Sequence, residues 1–428
     1  VLAAPLYSAL VSHRNKDRAS FHTPGHKGNP NALPRDLLQL DFTELPDTDS
    51  LYEASGPILE AETLASGLFG TARTCLSAGG CTLCIQAMFR LAAPEGGRVL
   101  CSRAIHRGAV NAMALLGIEP VWAMPDRVAS AVAENPDVKA VYVTSPDYYG
   151  RLLDIPAISA ACRERGIPLL VDCAHGAHLM FTEPGLHPLL FGASMTADSA
   201  HKTLGVLTGG AWLNIAEGRF ADGAKEAMAL FGSTSPSYPV MASLDLCREW
   251  LETHGDAFAP LQKRVAEIRK GALERGISLP AGLLDPTRVT LDTASVGVPG
   301  TRAAELFREA GVEPEYADGS YVVLIATPFN TERDFERLAS AVARLPVGEP
   351  LPEGPELPPL PPAGTGLREA LFAPKERLPL ARAKGRIAAG TACPCPPGIP
   401  VVMPGERITE EAVEFLRNYG FFYVNVLK

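Results

Sequence analysis

The stretch Lys139–Asp172, KAVYVTSPDYYGRLLDIPAISAACRERGIPLLVD, decides the fold class. Lys139–Thr144 is a short apolar run rich in Val and Tyr, which suits a strand. Ile155–Gly166 repeats apolar residues at helical spacing and closes on glycine, and Pro168–Asp172 is a second short apolar run. Strand, helix and strand within roughly thirty residues make a crossover, so the two strands run parallel. Upstream the same alternation holds. Pro57–Gly70 sets Ile58, Leu59, Leu64, Leu68 and Phe69 at helical spacing, and Leu83–Ala92 is a second helical pattern. Val99–Cys101 opens a strand and His106–Gly117 reads as a helix. An α/β domain with a mainly parallel sheet follows. In such sheets ligands sit beyond the carboxyl ends of the strands, where Asp172 stands.

Beyond this run the pattern changes. A helical stretch, Ser243–Gly276, precedes strand-like Arg288–Leu291 and Tyr321–Ile325 and helical Thr301–Ala310 and Glu332–Arg344, which suggests a smaller α+β unit. Pro346–Pro362 carries eight prolines among seventeen residues, a density that removes backbone donors and stiffens the chain into a linker or extended wrap. The expected division is 1–242 for an N-terminal segment and large domain, and 243–345 for the small domain. A Pro-rich linker, 346–366, and a C-terminal domain, 367–428, complete it.

The 428 residues are 46% hydrophobic and 20% charged, the balance of an ordinary globular protein with material for a large core. A net charge of −9 argues against a nucleic-acid partner, and no apolar run approaches a membrane span. Val1–His13 lacks a basic flank and a small-residue cleavage site, so no signal peptide is read there. Nine scattered cysteines do not form a secreted disulfide framework and point to a reducing, cytoplasmic setting. Cys81-x-x-Cys84 and Cys393-Pro-Cys395 do not pair as zinc knuckles, because Cys81–Cys84 lies at the start of a helical pattern.

Three local signals carry chemistry. Ser199-Ala200-His201-Lys202 sets a lysine among hydroxyl and imidazole donors and small residues, which suits an amine that must attack an aldehyde near a phosphate. Val171-Asp172-Cys173-Ala174-His175-Gly176-Ala177-His178 sets a carboxylate at a strand end, placed to keep a pyridinium nitrogen protonated. His175 and His178 are one turn apart if helical, yet no further ligand stands in register, so no metal is expected. Ala78-Gly79-Gly80-Cys81-Thr82 enters a helical pattern, and two glycines at a helix start leave free N–H donors for a phosphate.

At these residues the chain resembles the bacterial ornithine/lysine/arginine decarboxylase family. Phe21-His22-Thr23-Pro24-Gly25-His26-Lys27-Gly28 looks like that family's signature. Asp47–Tyr52, Asp172–Gly176, Ser199–Lys202, Ser233–Tyr238 and Pro396–Pro400 are similar to it in the same order, from about residue 5 to 425. The resemblance implies an aspartate-aminotransferase-type fold (fold type I) and pyridoxal phosphate as cofactor. It also implies a homodimer or larger assembly with shared sites. Lys202 would carry the Schiff base, Asp172 would pair with the pyridinium, and His106 would stack on the ring, with Ala174 and His175 nearby. Ser199, His201 and the backbone of Gly79, Gly80, Cys81 and Thr82 would hold the phosphate, joined by Thr234 and Ser235 of the neighbouring copy.

The implied activity is decarboxylation of a basic amino acid to its amine. Another reaction on the same scaffold, such as transamination or elimination, and a catalytically silent relative stay open. Three places depart from the family pattern. Gly80 and Cys81 stand where a hydroxyl pair is usual, Cys395 stands in a Pro-Tyr-Pro-Pro-Gly-Ile-Pro pattern, and Gly390 stands where an acidic residue is common. Glu313, Glu315 and Asp318 receive no role from the sequence.

Overall fold

In the computed structural model, which describes residues 15–428 apart from 17, 23, 24, 28, 30, 32–39, 46 and 397, a short strand β1 (Ala19–Phe21) precedes a long α/β run. That run begins α1 (Pro57–Phe69), β2 (Arg73–Ser77), α2 (Gly80–Ala92), β3 (Gly97–Ser102), α3 (Arg107–Leu116) and β4 (Ile118–Ala123). It goes on through α4 (Val128–Glu134), β5 (Val141–Thr144), α5 (Ile155–Glu164) and β6 (Leu169–Asp172). β7 (Met195–Asp198), the short α6 (Ala200–Thr203), β8 (Ala211–Ile215) and α7 (Ala224–Ala229) close it. Seven strands form one sheet in the order β2-β8-β7-β6-β5-β3-β4. β8 runs against both of its neighbours, and every other pair is parallel.

Helices cover both faces, which is why the central strands read as unbroken apolar runs. Tyr142 and Leu170 point to one face, against Met88 and Phe89 of α2. Val141, Val143, Leu169 and Val171 point to the other, against Val128 of α4 and Ile155 and Ile158 of α5. The Phe89 and Tyr142 rings stack 4.8 Å apart. Asp154 caps α5 by accepting from the Ala157 N–H, and His106 caps α3.

The strands β2, β4, β7 and β8 were not read from sequence. In β2, β7 and β8 buried polar residues interrupt the apolar pattern: Thr74 donates to Asn214 at 2.6 Å and Asn214 to Asp198 at 2.6 Å, so their polarity is satisfied inside the sheet. β4 carries Pro120, which is tolerated because β4 is the edge strand.

The single helical stretch expected at Ser243–Gly276 is two helices, α8 (Tyr238–His254) and α9 (Phe258–Glu274), broken at Gly255–Ala257. The division expected between 242 and 243 falls inside α8. β9 (Arg288–Asp292), α10 (Gly300–Glu309), β10 (Val312–Pro314), β11 (Tyr316–Ala317), β12 (Tyr321–Ile325) and α11 (Glu332–Arg344) follow. β11-β12-β9 form an antiparallel sheet, and β1 pairs with β10. One apolar cluster runs from Leu204 and Trp212 through Leu244 to Val289, Phe307 and Leu324, so the two regions share a core.

Residues 346–362 hold no helix or strand and run alongside the second region, where the Gly348 and Leu351 N–H groups donate to Val296 and Ala294. α12 (Leu367–Phe372) then packs on α3 and β4, and β13 (Lys375–Pro379) pairs with β14 (Tyr423–Leu427) beside α13 (Glu410–Asn418). No helix among the described residues is long and apolar enough to cross a membrane.

Candidate active site

Because β2, β3, β5, β6 and β7 all run the same way, their carboxyl ends open on one side of the sheet. The loops that leave them carry Gly80–Thr82, His106, Thr144, Asp172, Ala174, His175, Ser199, His201 and Lys202. These residues line one cavity of about 390 Å³. Chain segments more than a hundred residues apart thus meet for a topological reason.

Lys202 lies on α6, immediately past β7. Its Nζ is 3.2 Å from Nε2 of His175. His175 is buried, and burial first, then Lys202 and Arg288, hold its pKa well below the ordinary imidazole value. It is therefore neutral, with Nε2 within hydrogen-bond distance of the lysine. Arg288 of β9 stands behind it, its Nη2 3.4 Å from Nδ1 of His175. Tyr148 packs edge-on against the same ring at 5.1 Å.

Asp172 is buried at the end of β6 and fixed from two sides. Its Oδ1 accepts from the Ala174 N–H and its Oδ2 from the Tyr142 hydroxyl, each at 3.1 Å. Beside it, in register on β5, Thr144 lines the cavity with a buried hydroxyl that has no hydrogen-bond partner among the described residues. His106 Nδ1 accepts from the Gly108 N–H at 3.0 Å, so its Nε2 side is left toward the cavity. Burial lowers the His106 pKa, with Asp172 pulling the other way.

The floor is the start of α2. Gly79 is its N-cap and supplies no side-chain cap, so the N–H groups of Cys81 and Thr82 stay available to an anion. Gly80 has φ 66°, a conformation that favours glycine, and its N–H is held by the Gly209 carbonyl at 2.8 Å. Gly80, Cys81 and Thr82 line the cavity, whereas Gly79 lies just outside it. Cys81 is buried, and burial pushes its thiol pKa well up, so it is no anion there. Ser199, Ala174 and His201 also reach the cavity, and His201 Nδ1 donates to the Gly210 carbonyl at 3.0 Å.

Thr234 and Ser235 are not brought to this cavity; they are exposed on the loop before α8. Within the signature stretch, Thr23, Pro24 and Gly28 lie outside the described residues. Gly25 packs so tightly on the segment after Lys202 that a Cβ there would be 2.4 Å from the Leu204 carbonyl oxygen. Lys27 donates to the His22 and Ile325 carbonyls, and burial brings its pKa down to about 7. Gly398 forms part of the cavity wall, while Gly390 lies against Asn425.

The histidine pair separates. His178 turns away from His175 and bonds Asp285 at 3.0 Å and Thr287 at 2.8 Å. Cys173, His187 and Asp198 have ligand atoms within 4.8 Å of one another. The Asp198 oxygens there already take His187 at 2.8 Å, Thr196 at 2.5 Å and Asn214 at 2.6 Å, which makes the set a hydrogen-bonded cluster. Tyr142, Thr144, Tyr148 and Arg288 were missed in the sequence. Only Thr144 had a signal, its place at the end of the KAVYVT strand.

The family model described as Orn/Lys/Arg decarboxylase, major domain, matches residues 4–271, and its C-terminal domain matches residues 366–423. The chain belongs to the Orn/Lys/Arg decarboxylase family. An arginine decarboxylase of Bacillus subtilis is 30% identical to it over 96% of this chain and 92% of that protein. Lysine decarboxylase LdcA of Pseudomonas aeruginosa is 24% identical over 98% of this chain and 76% of that one. Among solved structures, the constitutive lysine decarboxylase of E. coli superposes with a TM-score of 0.76 at 19% identity, covering 100% of this chain and 82% of that chain. The fold of this family member is the α/β fold type I, with a mainly parallel central sheet.

Proposed function

We propose that this member of the Orn/Lys/Arg decarboxylase family decarboxylates a basic amino acid (arginine, lysine or ornithine) with pyridoxal phosphate held beyond the strand ends. The carrying observation is that Lys202, Asp172, His106 and the uncapped start of α2 open onto one cavity. The residues suit that group: a lysine amine, a fixed buried carboxylate, the unpartnered Thr144 hydroxyl and a helix N-terminus. When bound, the cofactor supplies an aldehyde for amines and a protonated ring that takes up the electron pair left as carbon dioxide departs.

The chain does the rest. Asp172, held by Ala174 and Tyr142, would pair with the ring nitrogen and keep a proton there. Lys202 Nζ, 3.2 Å from Nε2 of neutral His175, is placed as the amine for that aldehyde and as the group that would return a proton to the substrate carbon. The N–H groups of Cys81 and Thr82, with Ser199 and His201, would hold the phosphate, and His106, on the wall of the same cavity, would cover one ring face. In the same reading Thr234 and Ser235 serve the phosphate of a neighbouring copy in a homodimer. The free thiols and the implied amine product support a cytoplasmic role in polyamine supply.

Added pyridoxal phosphate is expected to give a visible absorbance band that Lys202→Ala removes. Incubation with a panel of amino acids should then release carbon dioxide from a basic one. Keto acid without carbon dioxide would defeat the decarboxylase reading, and no band at all would favour a silent relative.

A further inference from the structure

Arg288 of β9 is buried and stands behind the cavity rather than on its wall. Its stem passes close over Gly150, where a Cβ would be 2.8 Å from the arginine Cγ. Asp285 lies 3.7 Å from its Nη2, and Arg269 fixes the start of the strand by donating to the Asp285 and Arg288 carbonyls. Nη1 reaches the Tyr148 carbonyl at 3.4 Å. Held in this way, the guanidinium sets both Nη atoms against one atom, Nδ1 of His175, at 3.5 and 3.4 Å.

A guanidinium donates hydrogen bonds, accepts none and keeps its proton in proteins. Nδ1 must therefore be an acceptor, and no oxygen among the described residues bonds it instead. A neutral imidazole that accepts at one nitrogen carries its proton on the other. His175 is neutral because it is buried between two basic side chains, Arg288 at Nδ1 and Lys202 at Nε2. Its proton is then on Nε2, which faces Lys202 Nζ at 3.2 Å. An ammonium at that place would set donor against donor, whereas an uncharged amine turns a lone pair to the N–H. Of the two basic neighbours, the lysine is the one that can give up its proton. On the reading that Lys202 is the amine for the cofactor aldehyde, we propose that Arg288 is a positioning residue. It fixes His175 as the Nε2–H tautomer and so holds Lys202 as an uncharged, nucleophilic amine. Because Arg288 arrives with β9, Lys202 is readied where β9 docks on the large sheet. The other ionisable groups that face this trio are His106, His201 and Asp172 on the cavity wall and Asp285 behind Arg288.

The test follows capture of pyridoxal phosphate by the full-length protein, first freed of cofactor, through growth of the visible band across a pH series. Arg288→Gln can turn its carbonyl to Nδ1, which moves the proton there and leaves Nε2 to accept from an ammonium. Capture near neutral pH should then slow about tenfold, and its midpoint should rise by about one pH unit, because the charged amine is favoured. Arg288→Lys keeps a cation that donates and does not accept, and it should stay within about threefold of wild type. In a His175→Phe background, Arg288→Gln should change neither rate nor midpoint further, since no Nδ1 remains. Wild-type capture in Arg288→Gln, or losses that add in the double variant, would show that Arg288 does not act through His175. Melting curves report any loss of packing separately. Neutron diffraction from deuterium-exchanged wild-type crystals reads the tautomer without any variant. A deuteron on Nε2 and none on Nδ1 is expected, and the reverse would overturn the proposal. A missing band in the wild type would sink the reading of Lys202, and with it the role given to Arg288, whereas a band with the deuteron on Nδ1 would sink the role alone.

Discussion

His106 has two separable jobs. As N-cap of α3 it accepts the Gly108 N–H through Nδ1, and as an imidazole it offers a ring to the cavity. Asparagine can keep the cap but not the ring. His106→Asn is therefore expected to hold thermal stability within about 0.5 kcal/mol while cofactor affinity falls about three- to tenfold, the size of one aromatic contact. His106→Ala should lose both, with about 1 kcal/mol of stability. Titrating each variant with pyridoxal phosphate beside a melting curve checks this, and equal affinity in His106→Asn would remove the ring from the site. His175 shows the same division of labour. Its neutrality comes from burial and from two cations, and one of these, Arg288, arrives from a strand 113 residues further along the chain.

At the scale of elements, the junction between the parallel sheet and the C-terminal region turns on one buried ion pair. Arg103, just past β3, has a fully buried side chain and pairs in a bidentate way with Glu406, at 2.5 and 2.7 Å. Its remaining donors go to the Pro400 and Val401 carbonyls at 2.8 and 3.1 Å, on the segment that brings Gly398 to the cavity. Arg103→Ala would strand the Glu406 carboxylate away from water, and removing one partner of such a pair costs about 3–5 kcal/mol. Denaturant unfolding should show a loss of that order, and KM should rise because the wall at Gly398 loosens. The double variant Arg103→Met with Glu406→Gln should recover much of the stability without restoring KM. A single variant within about 1 kcal/mol of wild type would show that the pair does not hold the segment.

Across the whole molecule, the tie between the two sheets is ionisable. His178, from the loop after β6, bonds Asp285 just ahead of β9, and both are buried. Burial alone would raise Asp285. The His178 ring, Arg288 and the Thr287 N–H outweigh it and hold the carboxyl well below the ordinary range. A carboxyl depressed in the folded state contributes stability above its unfolded value of about 3.9, and that contribution is lost as pH falls toward the folded value. Unfolding measured below pH about 4 should therefore steepen by up to about 1.4 kcal/mol per pH unit, and Asp285→Asn should flatten that limb. An unchanged acid limb in the variant would assign the acid sensitivity elsewhere. What the sequence determined by itself was local: the βαβ period from Lys139 to Asp172, the glycine turn into α2, and the ordered motifs around His106, Asp172 and Lys202. These are legible because periodicity, caps and turn chemistry act within a few residues. The strands β2, β7 and β8 were hidden because their polar residues are satisfied only by one another, across the sheet. Tyr142 behind Asp172, the Thr144 hydroxyl and Arg288 behind His175 were decided by tertiary structure alone. Each depends on which strand lies beside which, and that order is set by burying both faces of the sheet rather than by any neighbour in the chain.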